Sequence, residues 1–278
     1  MTSIGLDIGT GFVKCVSDTT RIKFPSLYAY RYPDSWEDKK GIIEAVGYDA
    51  VKLSEYLDAV VIRPVMLGRA VNEKAFAELV KKAVELVLQN KDAIGQIELA
   101  RSCIAVGLPY EARDYRDCIK KMILRLFRTK NCYVVPQVLG TLVDVKLSDA
   151  VVISIGHGTT EIVAFRNHVP IKGVSIHNAV NDISSKLGNR KTSYLDDTIF
   201  EDIKARPLVE MLADCIIDDL NAVRKDLLKL PVVVSGGGIM IPGIKEAIIS
   251  KLGKDVIIPQ DPVMSNAAGL FQLASKAC

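Results

Sequence analysis

The sequence predicts a duplicated α/β fold, two related domains facing one cleft. Three observations predict it. The core-forming residues are aliphatic: hydrophobic residues make up 49% of the chain and aromatics only 6%. Val, Ile, Leu and Ala must therefore fill the interior, a bias typical of buried parallel strands. The length of 278 residues suits about two compact units at roughly 150 residues each. Third, one motif occurs twice. Ser3-Ile4-Gly5-Leu6-Asp7-Ile8-Gly9-Thr10-Gly11 matches Val151-Val152-Ile153-Ser154-Ile155-Gly156-His157-Gly158 in form, at an offset of 147 residues. Each copy is an apolar strand, a polar residue, then Ile-Gly-x-Gly, leading into a second strand.

The elements follow in order. Ser3 to Asp7 reads as the first strand and ends in a turn at Gly9-Thr10-Gly11. Phe12 to Ser17 and Arg21 to Tyr30 continue an antiparallel meander with tight turns. Residues 31–70 are punctuated by Pro33, Gly41, Gly47, Pro64 and Gly68 and predict a small accessory subdomain. Val71 to Asn90 predicts an amphipathic helix with Phe76, Leu79, Val80, Ala83, Val84, Leu86, Val87 and Leu88 as its stripe. A strand at Ser102 to Gly107, a helix at Tyr115 to Arg128, a strand at Cys132 to Val135 and a helix at Val138 to Val145 complete domain 1–149.

The pattern then restarts. Strands are expected at Ala150 to Ile155, Ile162 to Phe165 and Val169 to Val174, and a helix at Ala179 to Leu187. Ile199 to Lys229 is helix-rich, and residues 178–230 hold the second accessory subdomain. Val232 to Val234 is a strand running into Gly236-Gly237-Gly238. A helix at Ile244 to Leu252, a short strand at Val256 to Ile258 and a helix at Ser265 to Lys276 close domain 150–278.

Charge and cysteines bound the partners. There are 36 basic and 33 acidic residues, a net charge of +3. That balance argues against direct binding of nucleic acid or an anionic membrane. No apolar run reaches the roughly 18 residues of a membrane span. Met1-Thr2-Ser3-Ile4 lacks the charged start of a secretory signal, so a cytoplasmic location is expected. The cysteines at 15, 103, 118, 132, 215 and 278 form no C-x-x-C pair. They read as free thiols in a reducing compartment, with Cys278 exposed at the end. Asp218-Asp219 and Arg224-Lys225-Asp226 read as a solvated helix face. Tyr28, Tyr30 and Tyr32 alternate as one face of a strand does.

Glycine-rich turns let backbone N–H groups approach phosphate oxygens, because no Cβ blocks the way. Two such turns at matched positions of a duplicated unit would clamp a polyphosphate between domains. Neither is a P-loop, because G-x-x-x-x-G-K-[ST] is absent. Neither is a dinucleotide fingerprint, because each joins strand to strand. Gly236-Gly237-Gly238 lies between a strand and a helix, where a ligand can approach a strand's carboxyl end.

Five segments occur in order along the whole chain: Asp7-Ile8-Gly9-Thr10-Gly11-Phe12-Val13-Lys14, Pro136-Gln137-Val138-Leu139-Gly140-Thr141-Leu142, Ser154-Ile155-Gly156-His157-Gly158-Thr159-Thr160-Glu161, Val234-Ser235-Gly236-Gly237-Gly238-Ile239-Met240-Ile241-Pro242-Gly243 and Asn266-Ala267-Ala268-Gly269-Leu270. Together the sequence resembles the actin superfamily of ATPases, which also holds Hsp70 and the sugar kinases. The segments match its two phosphate motifs, its two connecting helices and its adenosine motif. The resemblance implies a duplicated ribonuclease H-like fold around a nucleotide cleft, with ATP or ADP and Mg²⁺ as cofactors. It implies that Asp7 holds Mg²⁺ through water and that Gln137 orients the attacking water. Thr10, Gly11 and Lys14 would touch the β- and γ-phosphates, with Phe12 in the same loop. Gly156, His157, Gly158 and Thr159 would face them from the second domain. Gly236, Gly237, Gly238 and Met240 would pack on the adenosine and α-phosphate end.

Two departures stand out. Ser154 replaces the aspartate that usually opens the second phosphate motif, which implies weaker metal orientation and slow turnover. His157 replaces a small or acidic residue and reads as either a phosphate donor or a solvent-facing turn histidine. The short chain leaves little beyond two core domains and two accessory ones. It is therefore most similar to compact prokaryotic actin-like proteins of the ParM type, which implies ATP-dependent self-association into filaments. Any role in DNA segregation would then run through an adaptor protein. The alternatives are a small-molecule kinase of the same superfamily, such as an acetyl-hexosamine or pantothenate kinase type, and a nucleotide-gated scaffold. A kinase needs a general base over its acceptor hydroxyl, and no aspartate besides Asp7 presents itself.

Overall fold

The computed structural model describes residues 2–33, 41–88, 99–177, 179–180, 206–224, 229–253 and 255–278. Strands β1 (Ser3–Ile8), β2 (Phe12–Ser17) and β3 (Arg21–Pro25) form the expected meander. Residues 31–70 hold more regular structure than their turn-rich sequence suggests. Strand β4 (Tyr28–Arg31) pairs with β5 (Ile43–Val46) and β6 (Val60–Ile62), and helix α1 (Tyr48–Leu53) packs on the three. A hairpin of β7 (Val65–Met66) and β8 (Arg69–Ala70) follows. The tyrosines share one face as expected, with ring centroids 6.2 Å apart for Tyr28 and Tyr30 and 6.0 Å for Tyr30 and Tyr32.

Helix α2 (Glu73–Leu88) starts at Asn72, whose Oδ1 accepts the Ala75 N–H at 2.9 Å. Its stripe from Phe76 to Val87 is buried, but Leu86 points outward. Strand β9 (Cys103–Leu108), helix α3 (Arg116–Phe127) and strand β10 (Asn131–Pro136) complete a five-stranded sheet of order β10-β9-β1-β2-β3, in which β1, β9 and β10 run parallel. The central strands are buried on both faces. Ile4, Leu6, Ile104 and Val106 pack against Phe76, Leu79, Ile119 and Ile123 of α2 and α3.

Helix α4 (Gln137–Asp144) leads into the second sheet. There β11 (Ala150–Ile155), β12 (Thr160–Arg166) and β13 (Val169–Ile176) repeat the meander of β1 to β3. The expected helix at Ala179 to Leu187 lies almost wholly outside the described residues, as do Lys225 and Asp226. Helix α5 (Arg206–Arg224) carries Asp218 on its exposed face. Strand β14 (Val232–Ser235) pairs parallel to β11 and sets the order β13-β12-β11-β14. Helix α6 (Ile244–Leu252) packs with α5 on one face of this sheet. The strand expected at Val256 to Ile258 reduces to one bridge, Val233 to Ile257.

Helix α7 (Ser265–Ala277) returns to the first sheet and packs on Cys103 and Ala105 through Leu270 and Ala274. It crosses α4 backbone to backbone: a Cβ on Gly269 would lie 1.8 Å from the Gly140 carbonyl oxygen. The Thr141 hydroxyl at this crossing donates to Asn266 Oδ1 at 2.7 Å and meets the Ser235 hydroxyl at 3.0 Å. No helix among the described residues is long and apolar enough to cross a membrane.

The cysteines correct one expectation. Cys103 and Cys278 are joined as a disulfide, Cα to Cα 6.3 Å, which staples the end of α7 to β9. Cys15, Cys118, Cys132 and Cys215 are free, as expected. Burial pushes the Cys15 thiol up and the Cys132 thiol up to about 11, so both are unreactive at neutral pH.

Candidate functional site

The two meanders turn their glycine loops toward each other across a cleft of about 1090 Å³, its open mouth included. Both turns close with the same bond. Gly9 N–H donates to the Phe12 carbonyl at 3.1 Å, and Gly156 N–H to the Thr159 carbonyl at 2.9 Å. Ser26 braces the first loop through its Oγ to the Gly9 carbonyl at 2.6 Å and its N–H to the Gly11 carbonyl at 2.9 Å. The loops approach closely. A Cβ on Gly11 would lie 2.5 Å from His157 Cβ, and one on Gly158 would lie 3.0 Å from Thr10.

All the residues singled out from the sequence line this one cleft. Asp7, Thr10, Gly11, Phe12 and Lys14 form one wall, and Gly156, His157, Gly158 and Thr159 the opposite one. Gly236, Gly237, Gly238 and Met240, and Gln137 and Ser154, line the same cleft. The third loop needs its first glycine. Gly236 has φ of 89°, and a Cβ there would lie 2.3 Å from the Ile155 carbonyl oxygen.

The polar groups are arranged with some surprises. Asp7, at the end of β1, is buried, and its cross-strand partner Lys14 donates to its Oδ2 at 3.0 Å. The expected phosphate-touching lysine thus sits on the carboxylate expected to serve the metal. His157 is not a solvent-facing turn residue. Burial, helped by the charge of Arg63, lowers its imidazole to about 4, so it is neutral at pH 7, and its Nε2 is buried without a hydrogen bond.

Two residues escaped the sequence reading. Arg63, between β6 and β7, reaches back so that its Nη1 donates to the Thr10 carbonyl at 3.1 Å. Nothing local in the sequence signals this reach. Glu161, on β12, is fully buried and accepts the Tyr110 N–H and, at 3.3 Å, the Ser175 hydroxyl. Burial raises its carboxyl to about 7, and the nearby charge of Asp7 adds to the rise, while hydrogen bonds from Tyr110, Gln137 and Ser175 oppose it. The repeat carried a signal for this residue. Asp7 pairs with Lys14 across β1 and β2, and Ser154 pairs with Glu161 across β11 and β12, at the same offset of 147. The second half has a carboxylate, but on the neighbouring strand.

A hydrated magnesium ion fits this donor set. Among the described residues Asp7 is the one carboxylate lining the cleft, and Mg²⁺ in nucleotide sites commonly takes one or two carboxylates, with waters and phosphate oxygens supplying the rest. Among the described residues no cluster of three His, Cys, Asp or Glu side chains could cage a metal alone.

No protein-family profile matches the chain, and no curated protein does. Solved structures do. MreB5 of Spiroplasma citri, solved with AMPPNP bound, superposes with a TM-score of 0.80 at 15% identity, covering 99% of this chain and 96% of that one. Its ADP-bound form gives a TM-score of 0.76 at 15% identity with the same coverage. The MamK double helical filament gives 0.70 at 18% identity, covering 99% and 98%. The ethanolamine utilization protein EutJ from Carboxydothermus hydrogenoformans gives 0.63 at 17% identity, covering 98% and 89%. The doubled meander, the crossed connecting helices and these superpositions over nearly the whole chain agree: this chain has the actin-like ATPase fold.

Proposed function

We propose that the chain binds ATP and ADP in this cleft, hydrolyses ATP slowly with Mg²⁺, and assembles into filaments when ATP is bound. The observation that carries the reading is the pair of matched glycine turns facing each other over the buried Asp7 carboxylate. Backbone N–H groups on both walls suit a polyphosphate better than any uncharged ligand. Asp7 would hold magnesium through water, and the ion would neutralise charge on the phosphates. Gln137, the first residue of α4, would orient water for in-line attack on the γ-phosphate. The new bond joins the water oxygen to phosphorus, the bond to the β-bridging oxygen breaks, and ADP, phosphate and a proton leave. Assembly is supported by the fold shared with MamK, which is solved as a double helical filament. Near-neutral net charge favours an adaptor protein over direct contact with DNA.

Sedimentation with ATP, ADP and no nucleotide, with phosphate release measured in parallel, tests the proposal. Pelleting that requires ATP and phosphate release that Asp7→Ala abolishes, with the circular dichroism spectrum kept, are the expected results. Hydrolysis without assembly, stimulated by a sugar or a vitamin, would replace it with the kinase reading. Nucleotide binding without turnover or pelleting would replace it with the scaffold reading.

A further inference from the structure

We propose that Lys23 is a second phosphate-holding lysine of the cleft: with Lys14 it forms a pair of ammonium groups that neutralises a nucleotide's phosphates even where no metal is bound. The inference rests on the nucleotide-binding reading above and adds a residue that lies outside the glycine motifs.

The register of the first meander sets the pair. Asp7 on β1 stands opposite Lys14 on β2, and Lys14 stands opposite Lys23 on β3. Residues directly opposite one another share a face of the sheet, so the three form one row across it. The other face of these strands, with Leu6, Cys15 and Phe24, is sealed in the core. The row therefore lies on the face that opens to the cleft, and all three residues line it.

Phe12 fixes where the outer ammonium sits. Its ring shares this face, two residues before Lys14, and Lys23 Nζ stands over it at 4.8 Å from the centroid. The ring attracts the cation without accepting all of its N–H groups, so the ammonium is held in place with donors left for an anion.

The charges of the row do not balance. Lys14 already shares the Asp7 carboxylate, at 3.0 Å. Two lysines directly opposite each other repel, which costs stability in a strand pair. Among the described residues the cleft is lined by these two lysines against the single carboxylate of Asp7. A polyphosphate between the walls supplies the missing negative charge. A site with a second carboxylate would need a cation to arrive with the phosphates. Here the second half offers Ser154 at that place, and the first half offers a lysine pair. Binding is thereby uncoupled from the metal, while magnesium at Asp7 keeps its part in hydrolysis.

Calorimetric titration of ATP, ADP and adenosine, with magnesium and with a chelator, tests this. The wild-type chain should hold ADP in chelator within about tenfold of its affinity with magnesium. Lys23→Gln should weaken ATP and ADP by about tenfold or more in chelator and by less with magnesium, and leave adenosine unchanged. Should Lys23→Gln not fold, Lys23→Met keeps the apolar stem and the same comparison applies. A wild type that binds ADP only with magnesium, an unchanged affinity in the variant, an equal loss with and without metal, or a loss shared by adenosine would each overturn this proposal alone. A wild-type chain that binds no nucleotide in either condition would overturn the nucleotide reading and this proposal with it.

Discussion

Ser154 shows how one atom group shapes the cleft. It is buried, lines the cleft at the position that Asp7 holds in the first half of the repeat, and offers a neutral hydroxyl where the resemblance implies an aspartate. Ser154→Asp is expected to raise turnover severalfold and sharpen its dependence on Mg²⁺. Unchanged hydrolysis and unchanged metal dependence would count against that account. His157 and Glu161 make a second residue-scale prediction through linkage. The folded pKa of His157, about 4, lies below its ordinary 6.5, so the unfolded chain takes up the proton first. Its contribution to stability is full above about 6.5 and is lost as pH falls toward 4. Glu161 has the opposite sign, since its pKa rises from 4.5 to about 7. Its contribution is full below about 4.5 and is lost as pH rises through 7. The two slopes oppose each other between pH 4.5 and 6.5. Relative to wild type, His157→Asn should therefore gain stability as pH falls through that window, read from denaturant unfolding at several pH values. A constant difference would mean that His157 is not held neutral.

Elements were the most legible scale. Strands and turns obey short-range rules, and β11 and α6 fall on the bounds their apolar patterns predict. The exceptions are instructive. Val256 to Ile258 looks like a strand but meets the sheet at a single bridge, because pairing depends on a neighbour and not on propensity alone. Residues 31–70 look irregular because their short strands are interrupted by turn residues, yet β4 supplies an edge on each side for β5 and β6 to join. The end of α7 carries a prediction of its own. The Cys103–Cys278 bond spans 175 residues of chain, so reducing it should lower unfolding free energy by about 2–5 kcal/mol. A reductant should move the denaturation midpoint of the wild type, while Cys278→Ser should start at the lower value and not respond. Equal midpoints with and without reductant would mean that the bond adds no stability.

For the whole molecule, α4 and α7 matter most, since both lie between the two sheets and cross where Gly140 and Gly269 allow backbone contact. A ligand held by loops from both halves stabilises the folded chain by mass action. At a nucleotide concentration of about 100 Kd the expected gain is about 2.7 kcal/mol, seen as a rise in Tm with ATP or ADP and magnesium. The gain should shrink when the Gly11 or Gly158 loop is blocked by Gly→Val, since a side chain there meets His157 or Thr10. A Tm indifferent to nucleotide would place the ligand elsewhere.

The sequence by itself determined the order of elements, the duplication, and the three glycine loops. Periodicity, turn chemistry and a repeated motif are properties of neighbours along the chain, and they need no knowledge of packing. It also anticipated that these residues would line one cleft, because the repeat implies two loops facing each other. Only the tertiary structure decided what those residues meet. Lys14 pairs with Asp7, the half-buried His157 sits against Gly11, Arg63 reaches the first loop, and Glu161 lodges between Tyr110 and Gln137. Cys103 and Cys278 become partners across 175 residues for the same reason. Each of these contacts arises from segments far apart in sequence, and close packing, which leaves no mark on local pattern, is what chooses them.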